Sequence, residues 1–167
     1  DADLTHLGTE LRARRFEVEA LQNGGATEAA IIDRIAMAKR ILTRDSLLVF
    51  YFSGHGTDEG ELVIGTSGQT ISLARIFAEM RDLRGQKLVI LDGCYTAATL
   101  DTLQIPPRTN IIGHTEKGYE GPINSMVLPV DPATADAPFP GSLPPIMGFM
   151  TRALVKELQS DPHRVDF

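Results

Sequence analysis

KLVILDGCYTAA, residues Lys87 to Ala98, decides how this chain is read. Leu88, Val89, Ile90 and Leu91 form an unbroken apolar run, as a strand covered on both faces requires, and Asp92-Gly93 stops it with a turn signal. The only cysteine of the chain, Cys94, follows at once. Upstream, LLVFYF from Leu47 to Phe52 repeats the design and breaks into Ser53-Gly54-His55-Gly56. The segment between the two runs is long enough for a crossover with a helix, marked by Leu73, Ile76, Phe77 and Met80, so the strands read as parallel neighbours. Parallel neighbours carry His55 and Cys94 to one edge of a sheet, and in open α/β sheets ligands bind at that carboxyl edge.

Outward from these strands the pattern alternates. Leu4, Leu7 and Leu11 recur at helical spacing, with Arg12, Arg14 and Arg15 suited to the negative end of the helix dipole. Phe16, Val18 and Ala20 alternate with Glu17 and Glu19, which predicts a half-exposed strand ended by Asn23-Gly24-Gly25. Thr27 is the expected N-cap of a second helix whose buried stripe is Ile31, Ile35, Ala38 and Leu42. After His55, Glu61 to Ile64 and Gln69 to Ile71 read as a hairpin through Gly65 to Gly68, followed by a helix from Ser72 to about Leu83. Beyond Cys94 come a helical-looking run to Leu103, Pro106-Pro107, and a short strand from Thr109 to Gly113. Prolines and glycines dominate residues 121–147, the pattern of a long functional loop or a disordered one, and Phe149 to Leu158 has the spacing of a last helix. Alternating helices and buried strands imply an α/β sandwich, a mainly parallel central sheet between helical layers.

At 167 residues the chain is sized for one domain. A hydrophobic share of 43% with 23% charged residues is ordinary for a water-soluble protein, and no apolar run reaches the length of a membrane span. The net charge of −6, without a Lys/Arg cluster, argues against a nucleic-acid surface. One cysteine makes no internal disulfide, so the fold does not depend on an oxidising compartment and the cytoplasm is the expected location.

A lone cysteine is most often a small buried hydrophobe. Cys94 instead follows a strand-ending Asp-Gly, opposite a histidine flanked by glycines that allow close backbone approach to a ligand. An adjacent imidazole raises the thiolate fraction of a thiol and later protonates the leaving group, so Cys94 and His55 are the candidate nucleophile and base. Other uses of the cysteine fit less well. Leu100 stands six residues after Cys94, where a thiol phosphatase needs arginine to hold phosphate. Four scattered histidines and one cysteine give no zinc-ligand spacing, and no glycine-rich loop ends in Lys-Ser or Lys-Thr.

SLLVFYFSGHG at 46–56 and KLVILDGCYTA at 87–97 resemble the histidine and cysteine motifs of caspase-like cysteine peptidases, especially metacaspases and their bacterial relatives. DLTHLGTELRARRFEVEAL at 3–21 and GFMTRALVKEL at 148–158 resemble that family's first helix and strand and its late helix. Tyr95, Thr96 and Ala97 depart from the Cys-His-Ser-Gly usual in metacaspases. The resemblance implies a caspase-like three-layer sandwich spanning residues 1–167 as one peptidase domain. The family's opening strand has no counterpart, which reads as a fragment or processed piece.

The implied activity is hydrolysis of protein substrates by a Cys94–His55 dyad, with backbone N–H groups of Gly56 and Cys94 as oxyanion donors. Asp92, and Asp3 by alignment with the acidic residue that begins the family's first helix, are the implied pocket for a basic side chain, arginine before lysine. Asp1 is the fallback for Asp3. No cofactor is implied beyond the calcium that activates many metacaspases, for which these residues offer no ligand set. The expected partners are a protein substrate and a regulatory or activating protein, without nucleic acid or membrane. Activation by cutting is expected near Pro106-Pro107-Arg108 or within the loop after Gly121, and bacterial relatives suggest a role in defence. The competing expectation is a catalytically silent caspase-like module that only binds partners.

Overall fold

A computed structural model describes residues 2–95 and 99–113, with only the backbone given for Ala2 and Asp3. The loop of residues 121–147 and the helix expected at Phe149 to Leu158 lie outside the described residues. Residues up to Val18 belong to one compact unit and residues from Glu19 onward to another.

In the first unit, α1 spans Ala2–Ala13 and buries Leu7 and Leu11, two of the three leucines at helical spacing. Its end is closed in Schellman fashion: Arg15 takes a left-handed φ of 66°, and Phe16 N–H reaches back to Leu11 O at 3.1 Å. Arg14 pairs with Glu10 one turn earlier, at 3.0 Å. The strand expected at residues 16–20 does not form. Side chains 16 to 19 do alternate between half-buried and exposed, as the sequence pattern requires, but the segment joins no ladder among the described residues. Its carbonyl at Val18 is taken by the Arg12 guanidinium at 3.3 Å. Alternation thus fixed which side chains face inward without supplying a partner strand.

The second unit holds the sheet. Thr27 caps α2 (Glu28–Ile41) by accepting from Ala30 N–H at 3.2 Å, and Ile31, Ile35, Ala38 and Leu42 face the core. Next come β1 (Leu47–Ser53), the hairpin β2 (Glu61–Ile64) and β3 (Gln69–Ser72), and α3 (Leu73–Met80), which is capped by Ser72. Helix α3 buries Leu73, Ile76, Phe77 and Met80, all four residues read as its inner stripe, and stops one turn earlier than expected. Arg75 pairs with Glu28 and Glu79, and Lys39 pairs with Glu79, which ties α3 to α2 and holds the Glu79 carboxyl below the usual range, chiefly through Arg75.

Strand β4 (Gln86–Asp92) pairs in parallel with β1 on one side and with β5 (Thr109–Gly113) on the other. As the middle strand, β4 is buried from Lys87 to Asp92, and each fully buried apolar side chain contributes about 1.5–3 kcal/mol relative to exposure. Strand β1, read as equally buried, is half-buried throughout, because it has a neighbour on only one side among the described residues. The helical-looking run after Cys94 contributes a single 3-10 turn, Leu100–Thr102, within the described residues.

The amino end of β4 is closed tightly. Gly85 adopts φ +84°, and Gln86 N–H donates to Ser46 O at 2.9 Å just before β1. Lys87 is 2% exposed, its Nζ donating to Pro107 O at 2.9 Å and to Gly85 O at 3.4 Å. Burial pushes this amine below the ordinary lysine range, and the nearby Arg108 charge adds to the effect.

Candidate active site

The register of β1 against β4 carries the backbones at His55 and Cys94 to one edge of the sheet. Ser53 lies opposite Asp92 at the end of the ladder, and Gly54 N–H extends it by one bond to Asp92 O at 3.1 Å. His55 and Cys94 each stand two residues past that last pair, on adjacent strands running the same way. The expected juxtaposition at the carboxyl edge is therefore built by backbone pairing alone.

Beyond the ladder the two chains are shaped differently. The His55 loop is held by the hairpin: Val63 N–H donates to His55 O at 2.8 Å, and Thr57 N–H donates to Glu61 O at 2.9 Å. These bonds flank an antiparallel bridge between Gly56 and Leu62 and make it a non-hydrogen-bonded pair. In such a pair the peptide groups of both residues point away from the partner strand, so the Gly56 N–H faces away from β2. Among the described residues it has no hydrogen-bond partner, as an oxyanion donor needs. The His55 side chain is exposed.

Cys94 is 8% exposed and lies in a turn, not in the strand. Tyr95 next to it has φ +55°, a left-handed conformation uncommon for a residue with a side chain. Strand β4 ends at Asp92, so the period-two alternation of a strand does not extend to Cys94. Asp92 itself is 9% exposed, the last residue of the central strand. Asp3 sits inside the first turn of α1, which starts at Ala2, and so is not the N-cap of that helix; Asp1 lies outside the described residues.

Sequence reading missed two residues of this site. Thr57 closes the turn after the histidine, its Oγ1 accepting from Glu61 N–H at 3.2 Å while its carbonyl accepts from Gly60 N–H at 2.9 Å. Gly60 is buried, with φ +77°, and packs against Thr99 beyond the cysteine turn. The signal for this turn was legible as Asp58-Glu59-Gly60. Among the described residues no group of three His, Cys, Asp or Glu side chains could hold a metal ion, and no helix there is long and apolar enough to cross a membrane.

Comparison with known proteins places the chain. The Peptidase C14 model, described as a caspase domain, matches residues 1–162. No curated protein matches. A crystal structure of protein GSU0716 from Geobacter sulfurreducens is similar at 18% identity with a TM-score of 0.46, over 60% of this chain and 43% of that one. The chain thus spans less than half the length of that protein. A mixed α/β fold with a parallel sheet, a histidine and a cysteine ending adjacent strands, and a family match over nearly its whole length give one conclusion: the chain belongs to the caspase-domain family of cysteine peptidases.

Proposed function

We propose that the chain is a cysteine endopeptidase that cleaves protein substrates after a basic residue, arginine in preference to lysine. The observation that carries this reading is the in-register ending of β1 and β4, two residues short of His55 and Cys94. The Cys94 Sγ attacks the scissile carbonyl carbon as His55 takes the thiol proton. The carbonyl oxygen becomes an oxyanion, received by the Gly56 and Cys94 N–H groups, each worth roughly 3 kcal/mol of transition-state stabilisation. His55 returns the proton to the leaving amine, an acyl-enzyme remains, and water deprotonated by His55 releases the carboxylic acid and regenerates the thiol. No step uses a cofactor.

The preference for arginine rests on Asp92. A carboxylate beside the nucleophile's turn accepts the planar fork of a guanidinium through two bonds, whereas an ammonium engages as a point charge. The resemblance supplies Asp3 as a second carboxylate, which Asp3→Asn tests separately.

A positional-scanning peptide library, run on the wild type, Cys94→Ala, His55→Ala and Asp92→Asn, tests the proposal. Turnover should be highest with arginine before the cut, vanish in both dyad variants, and lose its arginine preference in Asp92→Asn. Cleavage that survives Cys94→Ala refutes the peptidase reading. Preference for aspartate, or an unchanged arginine preference in Asp92→Asn, refutes the basic pocket and leaves the dyad standing.

A further inference from the structure

The two reactive residues lie on separate loops, and the ladder that aligns them ends at Gly54. Beyond that point a side-chain contact joins the turn after His55 to Thr99, five residues past Cys94. Gly60, at the end of the turn that follows His55, has no Cβ and a φ of +77°. Thr99, five residues after Cys94, fills the space a side chain would take there: a Cβ on Gly60 would lie 2.6 Å from Thr99 Cγ2, 2.7 Å from its Oγ1 and 3.2 Å from its Cβ. These separations are well inside van der Waals contact, so the pair is closely fitted.

Each side of the contact is anchored. Gly60 N–H is bonded to Thr57 O, and Thr57 is bonded twice to Glu61, the first residue of β2. The Thr99 carbonyl accepts from Thr102 N–H at 3.0 Å and from Thr102 Oγ1 at 2.8 Å, which fixes it at the start of the 3-10 turn. A displacement at Thr99 is therefore passed to the turn that holds the His55 loop, with little slack on either side.

We infer that Thr99 and Gly60 form a latch that sets the spacing of the His55 and Cys94 loops, with Thr99 as a positioning residue for the dyad. This rests on the proposed roles of Cys94 and His55. The latch contains neither reactive residue, so its effect is expected on the activation of the thiol by the imidazole and not on substrate binding.

Because Cys94 is the only cysteine, its rate of alkylation by iodoacetamide reports that activation directly. The variants are Gly60→Ala, Thr99→Gly, the double variant, and Thr99→Val, which keeps the shape of the contact. His55→Ala sets the unactivated rate. Gly60→Ala should lower the alkylation rate, and kcat on a peptide substrate, by roughly tenfold with KM unchanged, the size of a dyad misplaced by a fraction of an ångström. Added to Thr99→Gly, the same substitution should change both rates by less than about twofold, since the colliding side chain is gone. Thr99→Val should match the wild type.

A merely structural role for Gly60 acts through its left-handed φ, and that penalty is the same in both backgrounds. Equal losses from Gly60→Ala with and without Thr99, or no loss in either, overturn the latch. A wild-type alkylation rate equal to that of His55→Ala overturns the dyad itself, and the latch with it. Thermal melts confirm that each variant is folded.

Discussion

Substituting Gly85 by alanine should destabilise the domain without harming the chemistry at the other end of the same strand. Gly85 sits at φ +84°, where a side chain adds about 1–2 kcal/mol of backbone strain. The added Cβ would also meet backbone atoms that cannot swing aside: it lies 2.8 Å from Thr43 O and in collision with Ser46 O. Ser46 O is held by Gln86 N–H at 2.9 Å, so relief of the collision breaks or lengthens the first bond between the chain ends entering β1 and β4, a further loss of about 0.5–1.5 kcal/mol. With residual crowding the total is about 2–4 kcal/mol. For a chain of this length that corresponds to a fall in melting temperature of roughly 5–15 °C.

Gly68 is the internal control, because it has a similar φ of +71° with open space where the Cβ would go. Gly68→Ala should lose only the strain, about 1–2 kcal/mol. Urea unfolding followed by circular dichroism measures both. Equal losses at the two glycines refute the collision. A fall in kcat for Gly85→Ala well below its melting temperature refutes the separation of the strand's two ends.

Phe77→Ala should remove about 3–5 kcal/mol of stability, a large part of what a domain has, because Phe77 is a fully buried ring on the inner face of α3; a loss under about 1 kcal/mol in urea unfolding contradicts that placement. Lys87 should make stability pH-dependent at high pH. Its folded-state pKa is lowered, so between that pKa and 10.5 the unfolded state holds more protons and stability rises with pH, an increment that Lys87→Met should lack; a pH-independent difference between the two proteins contradicts it. The Arg108–Thr109 bond should resist self-cleavage, since Arg108 O accepts from Lys87 N–H at 2.8 Å and Thr109 opens β5, so the bond is part of the sheet. Intact-mass analysis of incubated protein checks this, and a cut after Arg108 at native pH and temperature contradicts it.

What the sequence made legible was whatever side-chain periodicity encodes. The apolar run Leu88 to Leu91 marked the central strand, Thr27 marked the start of α2 through its side-chain oxygen, and the spacing of Leu73, Ile76, Phe77 and Met80 named the buried face of α3 before any packing was known. The placement of His55 and Cys94 just past the ends of two adjacent parallel strands followed from strand order alone. What was not legible depended on backbone conformation and long-range contact. Residues 16–19 alternate in burial and still join no ladder among the described residues, because alternation specifies faces and not neighbours. Asp92-Gly93 announced the end of the strand, but the left-handed conformation at Tyr95 has no glycine to announce it. The fit of Thr99 against Gly60 joins residues far apart in sequence, neither of which carries a chemical signature.

The wide pairing of Gly56 with Leu62 divides the hairpin into two parts with opposite tolerance to change in length. Inserting or deleting one residue between them would exchange wide and narrow pairs, turn a carbonyl to where the Gly56 N–H now points, and replace a donor with an acceptor there. At the far tip, Gly65 to Gly68, added residues leave that parity untouched. A reporter peptide or affinity handle grafted at the tip would thus ride on the element that shapes the histidine loop while leaving its polarity intact, and a single-residue change of length near Asp58 would reverse it.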